Sequence, residues 1–147
     1  DPFIIGGMST AATVVFVFFA IPLAHLSDTI GRKKIAAVSA FLTVLSYIVL
    51  IIAPNNVVLL LAGFLSGFNM SFIQNMMAIS VDLVPIQRLG SWIGLQGFCR
   101  GLVSIASPII CGYLWSYVFP QSVFYFLAAT QILAIIILML IPTEVTK

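Results

Sequence analysis

Apolar stretches long enough to cross a bilayer make up most of this chain. A transmembrane helix needs about 20 mostly apolar residues to cross a hydrocarbon core roughly 30 Å thick. Five segments meet this length, at residues 3–26, 35–53, 57–79, 90–115 and 122–141. The stretches between them, such as "APNN" and "SYVFPQS", are rich in polar and turn-forming residues. We therefore predict five membrane spans in a single helical bundle that covers residues 1–147.

Charge is too sparse for a protein that folds in water. Hydrophobic residues make up 62% of the 147 residues and charged residues only 7%, against about 25% charged residues in an ordinary soluble domain. A β-barrel would alternate apolar and polar residues over about ten positions, and runs such as "ILAIIILMLI" do not alternate. Because each span in lipid must satisfy its own backbone hydrogen bonds, the pattern predicts an all-α integral membrane protein.

The composition also argues against several classes of function. The net charge of +2 is small and no basic stripe is interleaved with aromatic residues, so we expect no nucleic-acid partner. The sequence has neither paired carboxylates nor an H-E-x-x-H motif, so we expect no enzyme, no metal site and no cofactor. Cys99 and Cys111 fall in apolar segments, where a free cysteine behaves as a small hydrophobic residue.

Apart from Arg100, the lysines and arginines lie in alternate connections between the spans and in the tail. Residues 32–34, "RKK", lie in the first connection, Arg88 lies in the third and Lys147 lies in the tail, whereas the second and fourth connections carry no charge. Basic loop residues are retained on the cytoplasmic side of a membrane. We therefore predict a multi-pass protein of the plasma membrane with a cytoplasmic C-terminus. The chain begins with Asp1 and shows no signal peptide, so we expect a piece of a longer protein.

The segment "AHLSDTIGRKKI" concentrates charge in the first connection. A chain that leaves one membrane helix and soon enters the next needs a tight turn, which Gly31 permits. Asp28 ends its helix and is well placed to meet the positive N-terminal end of a neighbouring helix. A carboxylate that gains this contact in only one arrangement of the bundle would bias an equilibrium between two arrangements. The alternative interpretation is a topology signal beside a solvated helix end.

This segment resembles the signature G-x-L-x-D-R-x-G-R-K of the major facilitator superfamily. The matching residues are Leu26, Asp28, Gly31, Arg32 and Lys33, whereas Ala24 replaces the first glycine and Thr29 the first arginine. The resemblance implies five of the six helices of one half of a two-half transporter, with the motif acting as a cytoplasmic latch between the halves. Asp28, Gly31 and Arg32 would then be gating residues.

The turn after the third span is similar to that of monocarboxylate porters, a branch of the same superfamily. "VDLVPIQRL" matches their V-D-L-V-G-x-x-R-L except that Pro85 replaces the glycine, and its charges, Asp82 and Arg88, would join the latch. The resemblance places the chain at spans eight to twelve, the C-terminal half, with spans two to six as the rival placement. It implies alternating-access transport of a monocarboxylate or other organic anion, with or without a proton, in partnership with the remaining spans. A sugar or drug carrier and a non-transporting scaffold or receptor are the alternatives.

Arg100 is the one charge predicted deep in the bilayer. It lies about ten residues into the fourth span, roughly 15 Å from the cytoplasmic end at 1.5 Å per residue. A central arginine costs about 2.5–3.5 kcal/mol on insertion scales, so it should face protein or water and have a partner. No acid of this sequence lies at a matching depth. An acid of the missing half and an anionic substrate remain as candidates, and a guanidinium fork suits a carboxylate.

Polar and small residues complete the predicted site. Gln96 shares a flank of the fourth span with Arg100, and the third span offers Ser71, Gln74 and Asn75. Each is either a substrate contact or an interhelical hydrogen bond worth about 1 kcal/mol. Small residues and proline at helical spacing allow another helix to approach closely. The predicted packing residues are Gly63 and Gly67 in the third span and Gly94, Gly97, Gly101, Pro108 and Gly112 in the fourth.

Overall fold

The computed structural model of this protein describes residues 2–140. Its candidate membrane spans, by length and composition, are Phe3–Ile30, Arg32–Ile52, Asn56–Asp82, Ile86–Val118 and Ser122–Leu140. The all-α architecture with five spans is confirmed, and no strand occurs among the described residues. Residue 141 of the fifth predicted span and the tail with Lys147 lie outside the described part of the chain.

Six α-helices build these five spans, because the third span contains two. They are α1 (Pro2–Ile30), α2 (Arg32–Ile52), α3 (Asn56–Ser66), α4 (Phe68–Asp82), α5 (Leu89–Tyr113) and α6 (Ser122–Leu140). A 3₁₀ turn at Ile86–Arg88 precedes α5, and a π-helical turn at Leu114–Val118 follows it. The fourth span therefore runs to Val118, beyond its predicted end at residue 115.

Gly31 alone separates α1 from α2. Its φ of 111° is a conformation that side chains other than hydrogen disfavour, and its N–H donates to Ser27 O at 3.1 Å. The predicted first connection, residues 27–34, is therefore too long. Residues 27–30 form the last turn of α1, because polar side chains at a membrane boundary do not interrupt a helix whose backbone bonds remain satisfied. We call the end of the bundle that carries residues 32–34 and Arg88 the basic end.

The third span is divided into α3 and α4 at Gly67. The glycine keeps helical angles, with φ −59° and ψ −27°, so the span is a continuous path rather than two separate crossings. Its other end begins at Asn55, whose side-chain oxygen accepts the N–H of Val58 at 3.1 Å and so caps α3. The span Asn56–Asp82 ends three residues beyond the predicted 57–79.

Helix α2 lies at the centre of the bundle and packs against α1, α3, α4 and α6. Its buried face is built largely from alanine, serine and threonine, which let neighbouring helices approach closely. Ser46 Oγ donates to Ala62 O at 2.8 Å and so joins α2 to α3. Ala36, Ile79 and Leu138 form a buried apolar cluster where α2, α4 and α6 meet.

Helix α5 packs sparsely against the rest of the described chain. None of its residues is buried, and its main contacts are with the turns that precede and follow it. One side-chain bond reaches another span, from Gln96 Nε2 to Ser80 Oγ at 3.0 Å. The four other spans therefore form the packed unit, and α5 presents most of its surface away from them.

Candidate functional site

A polar cavity of about 160 Å³ lies between α1 and α4. It is lined by Ala20, Leu23, Ala24, Ser27, Asp28, Arg32, Ser71, Gln74, Asn75 and Ala78. Three residues predicted to contact a substrate and two predicted to form the latch thus share one cavity. The structure brings together two groups that the sequence assigned to separate roles.

The spacing of small residues explains why a cavity forms there. Ala20 and Ala24 on α1 are four residues apart, so both point to the same side of the helix. Ala78 on α4 follows Gln74 by the same interval. Because alanine side chains are short, the two helices leave a space between them that larger residues would fill.

A buried chain of hydrogen bonds crosses the cavity wall. Ser27 Oγ donates to Asn75 Oδ1, and Asn75 Nδ2 donates to Ser71 O at 2.8 Å. All three residues are buried. Both the oxygen and the nitrogen of the Asn75 amide therefore have partners, and the bond from Ser27 joins α1 to α4.

Gln74 has a different environment from that of Asn75. Its side chain lines the cavity and is exposed, and within residues 2–140 its amide makes no hydrogen bond. An amide has both donors and an acceptor. Of the predicted substrate contacts that line the cavity, Gln74 is the one whose side chain is exposed.

The basic end of the cavity is bridged by an ion-pair cluster. Arg32 Nη1 bonds to Asp82 Oδ2 on α4, and Arg32 Nη2 lies 3.6 Å from Asp28 Oδ1, one turn back on α1. Gly31 directs the chain so that Arg32 lies between the two carboxylates. Asp28, predicted to meet the N-terminus of a neighbouring helix, here faces Arg32 and remains 67% exposed.

Two further basic residues lie at the basic end. Lys33 Nζ donates to Met139 O at 3.1 Å, in the last turn of α6. A cation at the C-terminal end of a helix is favoured by the helix dipole. Arg88, predicted to belong to the latch, is exposed at the end of the 3₁₀ turn and has no ion pair within residues 2–140.

Arg100 and Gln96 do not join the cavity. Both lie on α5, and Gln96 bonds to Ser80 on α4. Arg100 is exposed, and no residue of the described chain forms an ion pair with it. Nothing in residues 2–140 covers that side of α5, so the predicted burial of Arg100 would have to come from spans outside this chain. A partner for Arg100 from elsewhere in the protein stays a prediction.

The predicted packing residues of the third span and those of the fourth span have opposite environments. A Cβ on Gly63 would lie 2.8 Å from Met8 Cα, and one on Gly67 would lie 2.5 Å from Ala12 O, so α1 approaches both glycines closely. On α5, a Cβ would meet no atom of the described chain within 4 Å at Gly94, Gly97, Gly101 or Gly112. Pro108 lies inside the same helix. Within the described residues, no helix packs on that stripe.

The described residues form no group of three or more His, Cys, Asp or Glu side chains that could hold a metal ion. The cavity has instead one guanidinium, one carboxylate, two amides and two hydroxyls. Such a set can hold polar groups of a solute through hydrogen bonds. A solute that fits it would be held by direct contacts with side chains.

Five apolar spans, with a small polar cavity between α1 and α4, are the features of a helical membrane protein. The chain belongs to the major facilitator superfamily, because the profile described as Major Facilitator Superfamily matches residues 1–147. It is similar to two proteins of Escherichia coli. It is 30% identical to the tetracycline resistance protein of class E over 128 residues. It is 28% identical to the class B protein over 123 residues.

These matches cover most of this chain but a minor part of each relative. They span 87% of this chain and 31% of the class E protein, and 84% of this chain and 30% of the class B protein. The chain thus spans about a third of the length of the curated relatives that it matches.

Proposed function

We propose that this chain is part of a secondary transporter that moves a small organic solute across a membrane by alternating access. Membership of the major facilitator superfamily supports this proposal. The observation that carries it is the cavity between α1 and α4, where an available amide lies beside buried polar residues. In lipid such polar groups are costly, and they commonly mark the paths of solutes or ions.

The cavity forms one wall of a larger site in this proposal. Ligand pockets usually measure about 300–1,000 Å³, whereas this one measures about 160 Å³. The remaining wall would come from spans outside this chain. The open face of α5, with Arg100 and its stripe of glycines, is a second surface that those spans would cover.

We propose a drug-like solute as the first class to test. The two similar proteins of E. coli are named for tetracycline resistance, and Gln74 offers neutral hydrogen-bonding groups that suit an uncharged polar solute. A monocarboxylate or another organic anion is the second candidate. Arg100 favours it, because a guanidinium pairs with a carboxylate.

Orientation and placement belong to the same proposal. We propose that the basic end faces the cytoplasm of the plasma membrane, since it carries residues 32–34 and Arg88. We keep spans eight to twelve as the proposed placement, with spans two to six as the rival. Asp28, Gly31, Arg32 and Asp82 would then act as a latch that closes the cytoplasmic side of the cavity, with Arg88 beside them.

Solute flux through the full-length protein tests this function. Vesicles that contain the protein are loaded in parallel with labelled tetracycline and labelled lactate, and transport of each is measured. We expect Gln74→Ala to lower transport, because it removes the available amide from the cavity. Gln87→Ala is the matched control, since Gln87 is exposed in the 3₁₀ turn outside the cavity, and it should leave transport unchanged.

Flux measured in the same vesicles also shows which class of solute the protein transports. Transport of tetracycline supports the drug-like class, and transport of lactate that falls with Arg100→Gln supports the anion class. If neither these solutes nor a sugar moves while the protein is inserted and folded, the transporter proposal fails. A membrane scaffold or receptor would then take its place.

A further inference from the structure

Two separate links hold α4 beside the cavity, one to the start of α2 and one to α1. One is the ion pair of Arg32 with Asp82 at the basic end. The other is the hydrogen bond from Ser27 Oγ to Asn75 Oδ1. Asn75 precedes Asp82 by seven residues, so the hydrogen bond lies about 10 Å deeper along α4 at 1.5 Å per residue.

The two links differ in their access to water. Ser27 is 4% exposed and Asn75 is 8% exposed, whereas the side chains of Arg32 and Asp82 are 33% and 41% exposed. Water and salt compete with an exposed ion pair and weaken it. A buried hydrogen bond has no such competitor, and an unpaired buried amide is costly. The deeper link is therefore the less easily replaced of the two.

Ser27 is also connected to the turn that places Arg32. Its carbonyl oxygen accepts the N–H of Gly31 at 3.1 Å, and Gly31 is the residue between α1 and α2. The hydroxyl of Ser27 thus bonds to Asn75 on α4, and its carbonyl oxygen bonds to Gly31 in the turn. A shift of Ser27 relative to Asn75 would therefore also change the distance that Arg32 must span to reach Asp82.

We propose that Ser27 is a positioning residue that holds α1 against α4 and keeps the basic end of the cavity closed. Its hydroxyl acts through Asn75, with no contact to the transported solute required. Loss of the hydroxyl would separate the two helices and admit water to the cavity from the basic end. Only the consequence for transport rests on the proposed function, because closure of the cavity is a property of the helices themselves.

Thiol labelling of a cysteine in the cavity tests this inference. The probe is a membrane-impermeant maleimide, applied from each side to vesicles that contain the full-length protein. The parent carries Ala78→Cys in a background without other reactive cysteines, since Ala78 lines the cavity and is half-buried. Ser27→Ala should raise the labelling rate from the basic side by about threefold to tenfold, the range expected for loss of one interhelical hydrogen bond.

Ser9→Ala is the matched control. Ser9 is also a serine of α1, but its hydroxyl donates to Ile5 O at 3.2 Å within the same helix and is exposed. Its removal breaks no link between helices, so the labelling rate should match that of the parent. A faster rate in Ser9→Ala would mean that labelling reports general loosening of α1 and would overturn the inference.

Two further variants separate the hydroxyl from a general packing defect. Ser27→Thr keeps the donor and should label within about twofold of the parent, so an increase as large as that of Ser27→Ala overturns the inference. Asn75→Ala removes the acceptor of the same bond. The double variant should then label no faster than the faster single variant, because both changes break one interaction. Multiplied effects would overturn the inference.

Flux measured on the same vesicles distinguishes this inference from the proposed function. Faster labelling in Ser27→Ala, in a protein whose parent moves no solute, would retain the inference and reject transport. Parental labelling in a folded Ser27→Ala protein that still transports would reject the inference and retain transport.

Discussion

Gly67→Ala probes a close contact between α1 and the third span. A Cβ at this position would lie 2.5 Å from Ala12 O and 2.9 Å from Val15 Cβ. The first of these atoms belongs to the backbone of α1, so relief requires the helix itself to move. Overpacking of this kind costs about 1–3 kcal/mol, and a glycine-to-alanine change inside a helix returns about 1 kcal/mol. We expect a net loss of about 1–2 kcal/mol, because a backbone contact lies in the upper part of the range.

Gly90→Ala is the control, because nothing lies within 4 Å of a Cβ there. The assay is the apparent midpoint of thermal unfolding of the purified full-length protein in detergent, followed by the monodisperse fraction that survives heating. Domains of 150–250 residues lose about 2–4 °C per kcal/mol, so Gly67→Ala should unfold several degrees below Gly90→Ala. Equal midpoints would refute the close approach of α1 to α3 and α4.

Two smaller predictions concern a helix cap and the ion-pair cluster. Asn55→Ala should destabilise the protein by about 1 kcal/mol, because Asn55 caps α3 through the N–H of Val58. Asn56→Ala, in the first turn of α3, should cost less stability in the same unfolding assay. Equal losses of stability would contradict the cap. Arg32→Gln should lower solute flux by about threefold to tenfold, since Arg32, at the start of α2, pairs with both Asp82 on α4 and Asp28 on α1. Lys34→Gln removes the same charge from an exposed position and should leave flux unchanged; equal losses would mean that net charge matters rather than the bridge.

The existence of the five spans could be predicted from the sequence because hydrophobic length is a property of composition. The residues at which the spans end could not be predicted in this way, and Ser27 is an example. A polar residue next to a charged one resembles a loop, yet backbone hydrogen bonds continue the helix to Ile30. The prediction ended the first span at residue 26, so Ser27 was assigned to a turn. Its bond to Asn75 was missed for that reason.

The cavity shows the same division between pattern and packing. Ser71, Gln74 and Asn75 could be singled out because polar residues are rare in membrane helices. That these residues lie close to Asp28 and Arg32 depends on how α1 packs against α4. The periodicity of the sequence does not show which helices pack together. Helical spacing reveals which residues share a face, not which helix covers it.

The glycines make this limit concrete. Gly63 and Gly94 carry the same sequence signature, a small residue repeated at helical spacing. A Cβ on the first would lie 2.8 Å from the backbone of α1, whereas a Cβ on the second would have no described atom within 4 Å. Arg100 is likewise uncovered, because no helix within residues 2–140 packs against that side of α5. What covers this face depends on the rest of the protein.

The central claim is that the cavity between α1 and α4 lies on the path of the solute. Protection of an introduced cysteine tests it most directly. Ala78→Cys places a thiol in the cavity, and Gln87→Cys places one in the exposed 3₁₀ turn. If the account is right, saturating transported solute slows maleimide labelling at position 78 at least about threefold and leaves position 87 unchanged. Equal labelling of position 78 with and without solute, while flux continues, would contradict it.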